Sequence, residues 1–305
     1  MKDLEYIRSY CEEYSYPQEA MDSILSAYQL IAADAKYKEA FDQAEILLFA
    51  AEEVEPQDLY AGLQDIAGAI GVNAYIVPLV FYIRETRRPK ELYDQKEIAE
   101  NVQRGAMEDL LTKAKECKLV KGCYGLLNPS FVHKYFRLRL FALGRMQFEL
   151  GEFARESCEL GGKVIKKGDL VIRCHIPGSG KPFDDETRMD SYGQAYAFFK
   201  DAFEDKPVIF TCDSWLLFEL NEKILPERSN IVRFMHDFKI LGLSYYDESG
   251  SQLWRIFGKA YTGDPEDMPA DTALRTGYQR WLRDGNYAGS SYCVFLFDGE
   301  NIVKD

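Results

Sequence analysis

Three residues between positions 149 and 213 can move protons, and each lies on or at the end of a predicted strand. His175 ends a strand that begins at Leu170, and the usual pKa range of imidazole suits proton transfer near neutral pH. Asp213 ends a second strand, where it can orient His175, act as a base, or cap the helix that follows at Trp215. Glu149 lies on the polar face of an earlier strand, and a solvated surface position is its alternative role. These residue types favour general acid–base chemistry.

Cysteine and serine nucleophiles are the other chemistry to consider. Cys174 and Cys212 lie near the ends of the same two strands. Adjacent strand residues point to opposite faces, so Cys174 cannot form a dyad with His175, whereas Cys212 can. A hydrolase that uses Cys212 requires a thiol with a lowered pKa. Ser214 lacks the flanking glycines of a nucleophile elbow, so a serine hydrolase is not expected.

Residues 168–213 position most of these side chains. They read as a strand, a glycine-containing loop, an amphipathic helix and a second strand, and strands joined by such a crossover are parallel. Ser191 and Gln194 fit a capping box, which predicts that the helix begins at Ser191. Ligands of open α/β sheets bind at the carboxyl ends of the strands, which is where His175 and Asp213 lie.

The flanking sequence predicts two domains. Residues 2–118 read as successive helices, of which the almost fully apolar one at 72–85 is expected to be buried and kinked at Pro78. From Gly144 the period changes to that of an antiparallel strand. DESGS at 247–251 is the clearest hairpin signal. The expected fold class is α+β, with an all-α domain over residues 1–125 and a mixed sheet of about seven strands over 126–305.

The composition describes an ordinary folded chain with an acidic surface. Its 305 residues are 47% hydrophobic and carry a formal net charge of -13. Nucleic acids and anionic membranes need a basic surface, so neither is expected as a partner. No segment has the roughly 18 to 20 apolar residues of a membrane span, and no export signal is seen, which favours the cytoplasm. The seven scattered cysteines lack zinc-site spacing, so we expect reduced thiols and no metal.

Four stretches between residues 140 and 240 resemble a known family. They are LFALGRMQFE at 140–149, HIPGSG at 175–180, FTCDSWLL at 210–217 and LPERSNIVRFMHDFKI at 225–240. These stretches resemble bacterial acyltransferase-domain proteins, which have a helical N-terminal domain before a GNAT-like C-terminal domain. The order of the predicted elements is also similar to the GNAT fold. The resemblance covers the C-terminal half well and the helical half loosely.

The resemblance implies an acyl-CoA site in a V-shaped opening between the strands that end at His175 and Asp213. GNAT enzymes bind the CoA pyrophosphate on backbone N–H groups of a glycine-rich loop before the next helix. The corresponding residues here are Gly178, Ser179, Gly180 and Lys181. This loop is longer than usual and lacks the family form Arg/Gln-x-x-Gly-x-Gly/Ala, so an ordinary turn is the alternative. Asn230 and Arg233, in the helix after the second strand, are further candidates for contacts with pantetheine or phosphate.

The function that the resemblance implies is acyl-CoA-dependent N-acyl transfer. Acetyl-CoA or another acyl-CoA is the expected co-substrate, and an amine of a small molecule or peptide is the expected acceptor, without a covalent intermediate. His175 is the first candidate for the base, with Asp213 and Glu149 as the other catalytic candidates. The alternative is a non-catalytic GNAT-like module that binds CoA or another ligand as a sensor or interaction domain.

Overall fold

The computed structural model of the chain describes residues 2–49, 56–204, 206–247 and 249–304. The chain divides into two compact units, Met1–Phe141 and Ala142–Asp305. The first unit is rich in helices, and the second combines helices with a sheet. Each unit has hydrophobic core clusters of its own.

Amphipathic helices pack around a buried one in the first unit. The described helices are α1 (Lys2–Glu13), α2 (Gln18–Ala33), α3 (Ala35–Phe49), α4 (Pro56–Ala69), α5 (Ile76–Glu85), α6 (Arg87–Gln95), α7 (Glu100–Lys121) and α8 (Pro129–Phe136). Every residue of α5 is buried, as the apolar sequence predicts. The expected kink at Pro78 is wrong. Because α5 begins at Ile76, Pro78 lies in the first turn, where its missing N–H interrupts no helical hydrogen bond.

A seven-stranded mixed sheet forms the centre of the second unit. The strands are β1 (Phe141–Leu143), β2 (Met146–Glu152), β3 (Ser157–Leu160), β4 (Lys163–Lys166), β5 (Leu170–His175), β6 (Val208–Ser214), β7 (Lys239–Tyr245), β8 (Gly289–Phe297) and β9 (Ile302–Val303). The order in the sheet is β1-β2-β5-β6-β8-β7, with β9 paired to β8, while β3 and β4 form a separate hairpin. The pair β5–β6 is parallel, and its neighbours β2 and β8 are antiparallel to it. The predicted crossover-linked centre with antiparallel flanks is confirmed.

The crossover helix begins six residues earlier than the sequence predicts. The helices of this unit are α9 (Asp185–Phe199), α10 (Leu220–Ile224), α11 (Asn230–Met235), α12 (Trp254–Phe257) and α13 (Ala273–Arg283). Asp184 caps α9, since its carboxylate accepts the backbone N–H of Thr187 while Thr187 Oγ1 accepts the N–H of Asp184. The predicted cap at Ser191 is wrong. Ser191 lies inside α9, and its hydroxyl donates to the carbonyl of Thr187 instead.

The predicted hairpin at DESGS is also wrong. The segment after β7 turns at Gly250, which has a φ of +58°, and continues into the short helix α12 rather than into a strand. Leu253, Ile256 and Phe257 are buried together at helical spacing, so their apolar pattern belongs to a helix. The antiparallel partner of β7 is β8. Glu248, within the predicted turn, lies outside the described residues.

The two faces of the sheet differ in chemistry. On the face toward α9, Tyr192 of the helix packs against an aromatic cluster in which the rings of Phe210 and Phe295 stack at 4.9 Å. On the other face, one end carries an apolar cluster shared with the β3–β4 hairpin, including Ile165 and Ile209. The other end of that second face is polar.

Candidate active site

The parallel pairing of β5 and β6 stops before either strand ends. Within these fully described strands, the register pairs are Ile172 with Phe210 and Arg173 with Thr211. On their outer sides, β5 remains paired with β2 as far as His175, and β6 remains paired with β8 as far as Ser214. The carboxyl ends of the two central strands therefore separate from each other while the rest of the sheet stays intact. Backbone N–H and C=O groups face this opening without a partner strand.

Six polar residues lie on one face of the sheet beside the opening. They are Gln147 and Glu149 of β2, Arg173 and His175 of β5, and Thr211 and Asp213 of β6. The cross-strand register fixes this arrangement, because residues directly opposite each other share a face and the face alternates along each strand. The sequence-predicted residues His175, Asp213 and Glu149 are thus brought to the same face.

His175 and Glu149 form a hydrogen-bonded pair. The Nε2 of His175 lies 2.9 Å from Oε1 of Glu149. The Glu149 side chain is 8% exposed and the His175 side chain 31%, so the carboxylate lies behind the imidazole, which reaches solvent. An ionised carboxylate only accepts hydrogen bonds, so the Nε2–H of His175 is the donor. This arrangement fixes the tautomer of the ring and leaves Nδ1 as the nitrogen that can accept a proton.

Gln147 is the cross-strand neighbour of His175 and has an unsatisfied polar atom. The residue is 2% exposed, and its Oε1 has no hydrogen-bond partner among the described residues. A buried acceptor without a donor is costly, by about 1–3 kcal/mol. A ligand N–H or a water molecule at this position would remove that cost.

Asp213 lies at the end of β6 but is not bonded to His175. The residue is exposed, and no hydrogen bond among the described residues joins it to the imidazole. The capping role considered for Asp213 belongs to Ser214, whose Oγ accepts the N–H of Leu216 at 3.2 Å. Burial raises the pKa of Tyr246 to about 12, with Arg255 opposing this shift and Asp213 adding to it. Asp213 therefore acts electrostatically on the region beyond the end of β7.

The two cysteines of these strands lie on the opposite face. Cys174 and Cys212 are 3% and 2% exposed. Burial raises the pKa of both thiols well above the usual range. A Cys212 nucleophile needs a lowered pKa and access to substrate, so this alternative does not fit the structure.

Arg145, which the sequence did not single out, holds the glycine-containing loop. Its Nε lies 3.2 Å from the carbonyl oxygen of Lys181 and 3.0 Å from that of Pro182, and its Nη1 lies 3.1 Å from that of Pro177. No carboxylate of the described residues is within ion-pair distance of this guanidinium, and burial lowers the pKa of Arg145. Its backbone N–H also binds Ser191 Oγ at 2.8 Å, which ties the loop to α9. Only the alternation of Arg145 with Gln147 and Glu149 along one strand face pointed to it.

The remaining predicted cofactor residues have mixed surroundings. Gly180 has a φ of +71°, and the Lys181 N–H lies 3.4 Å from Ser179 Oγ, so the loop is locally turned. Arg233 is bound to Asp185 at 3.0 Å, at the start of α9. Asn230 begins α11, which Ser229 caps, so Asn230 is not the cap. The N-terminus of α9 thus already carries carboxylates where the resemblance implies a phosphate.

Two classes of site are not found in the described parts of the chain. No group of three or more His, Cys, Asp or Glu side chains there is arranged to hold a metal ion. None of the described helices is long and apolar enough to cross a bilayer.

Comparisons with known proteins identify the family and the fold. Residues 140–295 match the family model described as the GNAT-like C-terminal domain, and residues 5–138 match the N-acyltransferase N-terminal domain. A comparison with curated proteins finds no match.

Three solved acyltransferase structures have the same fold over almost the whole chain. An acyltransferase mutant in complex with octanoyl-CoA has a TM-score of 0.63 at 15% identity, covering 95% of this chain and 98% of that one. An acyltransferase with CoA and 10C-teicoplanin has a TM-score of 0.62 at 15% identity, covering 94% and 98%. An acyltransferase with decanoyl-CoA has a TM-score of 0.61 at 17% identity, covering 94% and 98%. The resemblance in the sequence is confirmed: the chain belongs to the family of N-acyltransferases that have an N-acyltransferase N-terminal domain and a GNAT-like C-terminal domain.

Proposed function

We propose that the protein transfers an acyl group from an acyl-CoA directly to an amine of a small molecule or peptide. The observation that carries this proposal is the His175–Glu149 pair beside the unpaired ends of β5 and β6. Family membership supplies the reaction class, and the structural neighbours were solved with CoA, octanoyl-CoA or decanoyl-CoA. One of those neighbours also holds 10C-teicoplanin, and a fourth acyltransferase structure of the same fold holds decanoyl-CoA and teicoplanin, which supports a small-molecule acceptor. We further infer that the first domain is all-α.

In this proposal, the acyl-CoA binds at the strand opening and at the loop that Arg145 holds. Unpaired N–H and C=O groups at the ends of β5 and β6 can bind the amides of pantetheine in the manner of an added strand. The Arg145 guanidinium donates hydrogen bonds to carbonyl oxygens and contacts no carboxylate of the described residues. A CoA phosphate beside residues 178–181 would supply its missing counter-charge. Lys181 lies in the same loop and adds a second cation.

The proton chemistry belongs to His175, with Glu149 as its positioning residue. His175 takes a proton from the acceptor ammonium, either directly or through one water molecule. The amine nitrogen then attacks the thioester carbonyl carbon and forms the C–N bond. Collapse of the tetrahedral intermediate breaks the C–S bond, and the departing CoA thiolate takes up the proton that the attacking nitrogen loses. The His175 imidazolium then returns its proton to solvent. Gln147 Oε1 is placed to accept an N–H of a bound ligand.

Calorimetric titration of the full chain with CoA, acetyl-CoA and longer acyl-CoAs tests the proposal. We expect saturable micromolar binding, with the acyl-chain preference identifying the donor, followed by amide formation detected by mass spectrometry with a panel of amines. Absence of binding at millimolar ligand would overturn the acyl-CoA site. Binding without amide formation for any amine would instead support the non-catalytic module.

A further inference from the structure

A cavity of about 220 Å³ lies in the second unit, in the connection between β7 and β8. The residues that matter in its lining are Tyr246, Tyr261, Tyr287, Asp247, Leu253 and Leu282. At about 30 Å³ per water molecule, the cavity has room for roughly seven waters or for one small organic group.

The cavity lies at the same edge of the sheet as the proposed reaction site, and Tyr246 of its lining is on the same face. Tyr246 follows β7 directly, and its N–H donates to the carbonyl of Ala288 at 2.8 Å, just before β8. Gly242 and Asp213 both pair with Tyr292, so alternation along β7 puts Tyr246 on the face of Asp213. The β5–β6 opening and the β8–β7 pair, beyond whose end the cavity lies, are two strand spacings apart, which is on the order of 10 Å.

The lining suits a positive charge. Tyrosine rings attract cations through their negative faces, and several rings together bind quaternary ammonium groups. Asp247 adds a carboxylate to the wall, and Asp213 acts on Tyr246 from the end of β6. Arg255 is the opposing charge that acts on Tyr246. Among the lining residues that the structure describes, Asp247 is the only charged one.

The walls of the cavity are held in place by the fold. A Cβ on Gly250 would lie 2.5 Å from Cδ1 of Tyr261, so the absence of a side chain there lets the backbone press on the Tyr261 ring. The carbonyl of Tyr287 accepts the indole N–H of Trp281 at 2.8 Å. The Tyr261 ring is thus packed against the backbone at Gly250, and the backbone of Tyr287 is held by Trp281, which reduces the ordering that a ligand must impose.

We propose that this cavity binds a positively charged ammonium group of the acyl acceptor. Its role in the acceptor site rests on the proposed function, whereas cation binding itself does not. The bound group is not the reacting amine, because a site that stabilises a cation keeps nitrogen protonated and a protonated nitrogen cannot attack a thioester. The acceptor class is therefore a molecule with a second amino or quaternary ammonium group on the order of 10 Å from the acylated amine.

A pair of ligands of equal shape tests cation binding in the full chain without CoA. Choline and its neutral isostere 3,3-dimethylbutan-1-ol are titrated by calorimetry or NMR. We expect choline to bind in the millimolar range or tighter, and at least about fivefold better than the alcohol. Equal affinity for the two ligands, or no saturation by choline in the millimolar range, would overturn the proposal.

Variants of exposed tyrosines locate the binding. Tyr287 is 45% exposed and Tyr245 is 58% exposed, so leucine at either position leaves the core filled. Tyr287→Leu should weaken choline binding by about fivefold. Tyr287→Phe should not weaken it, because this variant keeps the aromatic ring. Tyr245→Leu, on the opposite face of β7, is the matched control and should bind as the parent does. Equal losses in Tyr287→Leu and Tyr245→Leu would overturn the assignment to this cavity.

An activity measurement tests the role in the acceptor site. Once an amine acceptor is found, choline should compete with it, and Tyr287→Leu should raise the acceptor KM without changing the acyl-CoA KM. Choline that binds without changing the acceptor KM would overturn that role. A protein that binds choline but transfers no acyl group would refute the proposed function and leave the cation site standing, so the two failures are distinguishable.

Discussion

The two faces of β5 and β6 carry opposite chemistry within single pairs of neighbouring residues. Cys174 and Cys212 are buried under α9, with thiol pKa values raised by burial. The next residue along each strand, His175 or Asp213, lies on the polar face beside the strand opening. Neighbouring residues of a strand point to opposite faces, so one residue of each pair has a structural role and the next a chemical role. The aromatic face stabilises the fold, and the polar face supplies the chemistry.

The largest effect is expected from removing the imidazole on the polar face. His175→Ala should lower kcat by about 10²- to 10⁴-fold, because the acceptor ammonium then loses its general base. Steady-state kinetics with saturating acyl-CoA measures this. Glu149→Gln should also lower kcat, since a neutral amide holds the Nε2–H tautomer of His175 less firmly than a carboxylate does.

Stability separates loss of catalysis from loss of fold in these variants. The His175 side chain is partly exposed, so His175→Ala should change the free energy of unfolding by no more than about 1 kcal/mol. A change in kcat of less than about threefold would remove His175 from the mechanism. Unfolding of the variant at the growth temperature would show that the polar face is structural, contrary to our interpretation.

On the aromatic face, the next largest effect should be a loss of stability. Phe210 is fully buried and contacts Phe148, Tyr192 and Phe295. Phe210→Ala should lower the free energy of unfolding by about 3–5 kcal/mol, because it removes these contacts and leaves a cavity. Urea unfolding monitored by circular dichroism measures the loss. A loss comparable to that of His175→Ala would contradict the division of the two faces.

A smaller effect is expected at Arg145, which holds the loop on the polar side. Arg145→Gln should weaken CoA binding about tenfold, since a charge-assisted hydrogen bond to phosphate contributes roughly 1.5–3 kcal/mol. The loss should stay near the lower end because the loop can partly retain its shape. Arg280→Gln, at an exposed position of α13, is the charge-matched control and should leave affinity unchanged. The same titration with dephospho-CoA and pantetheine identifies the phosphate involved. If Arg145→Gln and Arg280→Gln bound CoA equally well, the CoA phosphates would not bind at Arg145.

Local patterns predicted the elements of the sheet, and long-range register decided the contacts of the site. Alternation in the sequence separates Cys174 from His175 without any structure, because the period of a strand is local. The hydrogen bond from His175 to Glu149 depends on how β2 pairs with β5, which no local pattern contains. The role of Arg145 depends on three carbonyls more than thirty residues away along the chain. The start of α9 was mispredicted because two capping signals compete, and Asp184 forms the reciprocal pair.

The smallest effect is expected for thiol labelling of the two cysteines on the aromatic face, which should not react in the native protein. Burial raises the pKa of Cys174 and Cys212, so the thiolate fraction of both stays negligible as the pH rises from neutral toward 9, and reagent is excluded as well. In the native protein, iodoacetamide should label the partly exposed Cys123 first, and peptide mass spectrometry should find Cys174 and Cys212 modified only after denaturant is added. Native labelling of Cys212 at the rate of Cys123 would mean that the second strand presents its thiol to the opening. The Cys212 nucleophile would then return as the alternative to direct transfer.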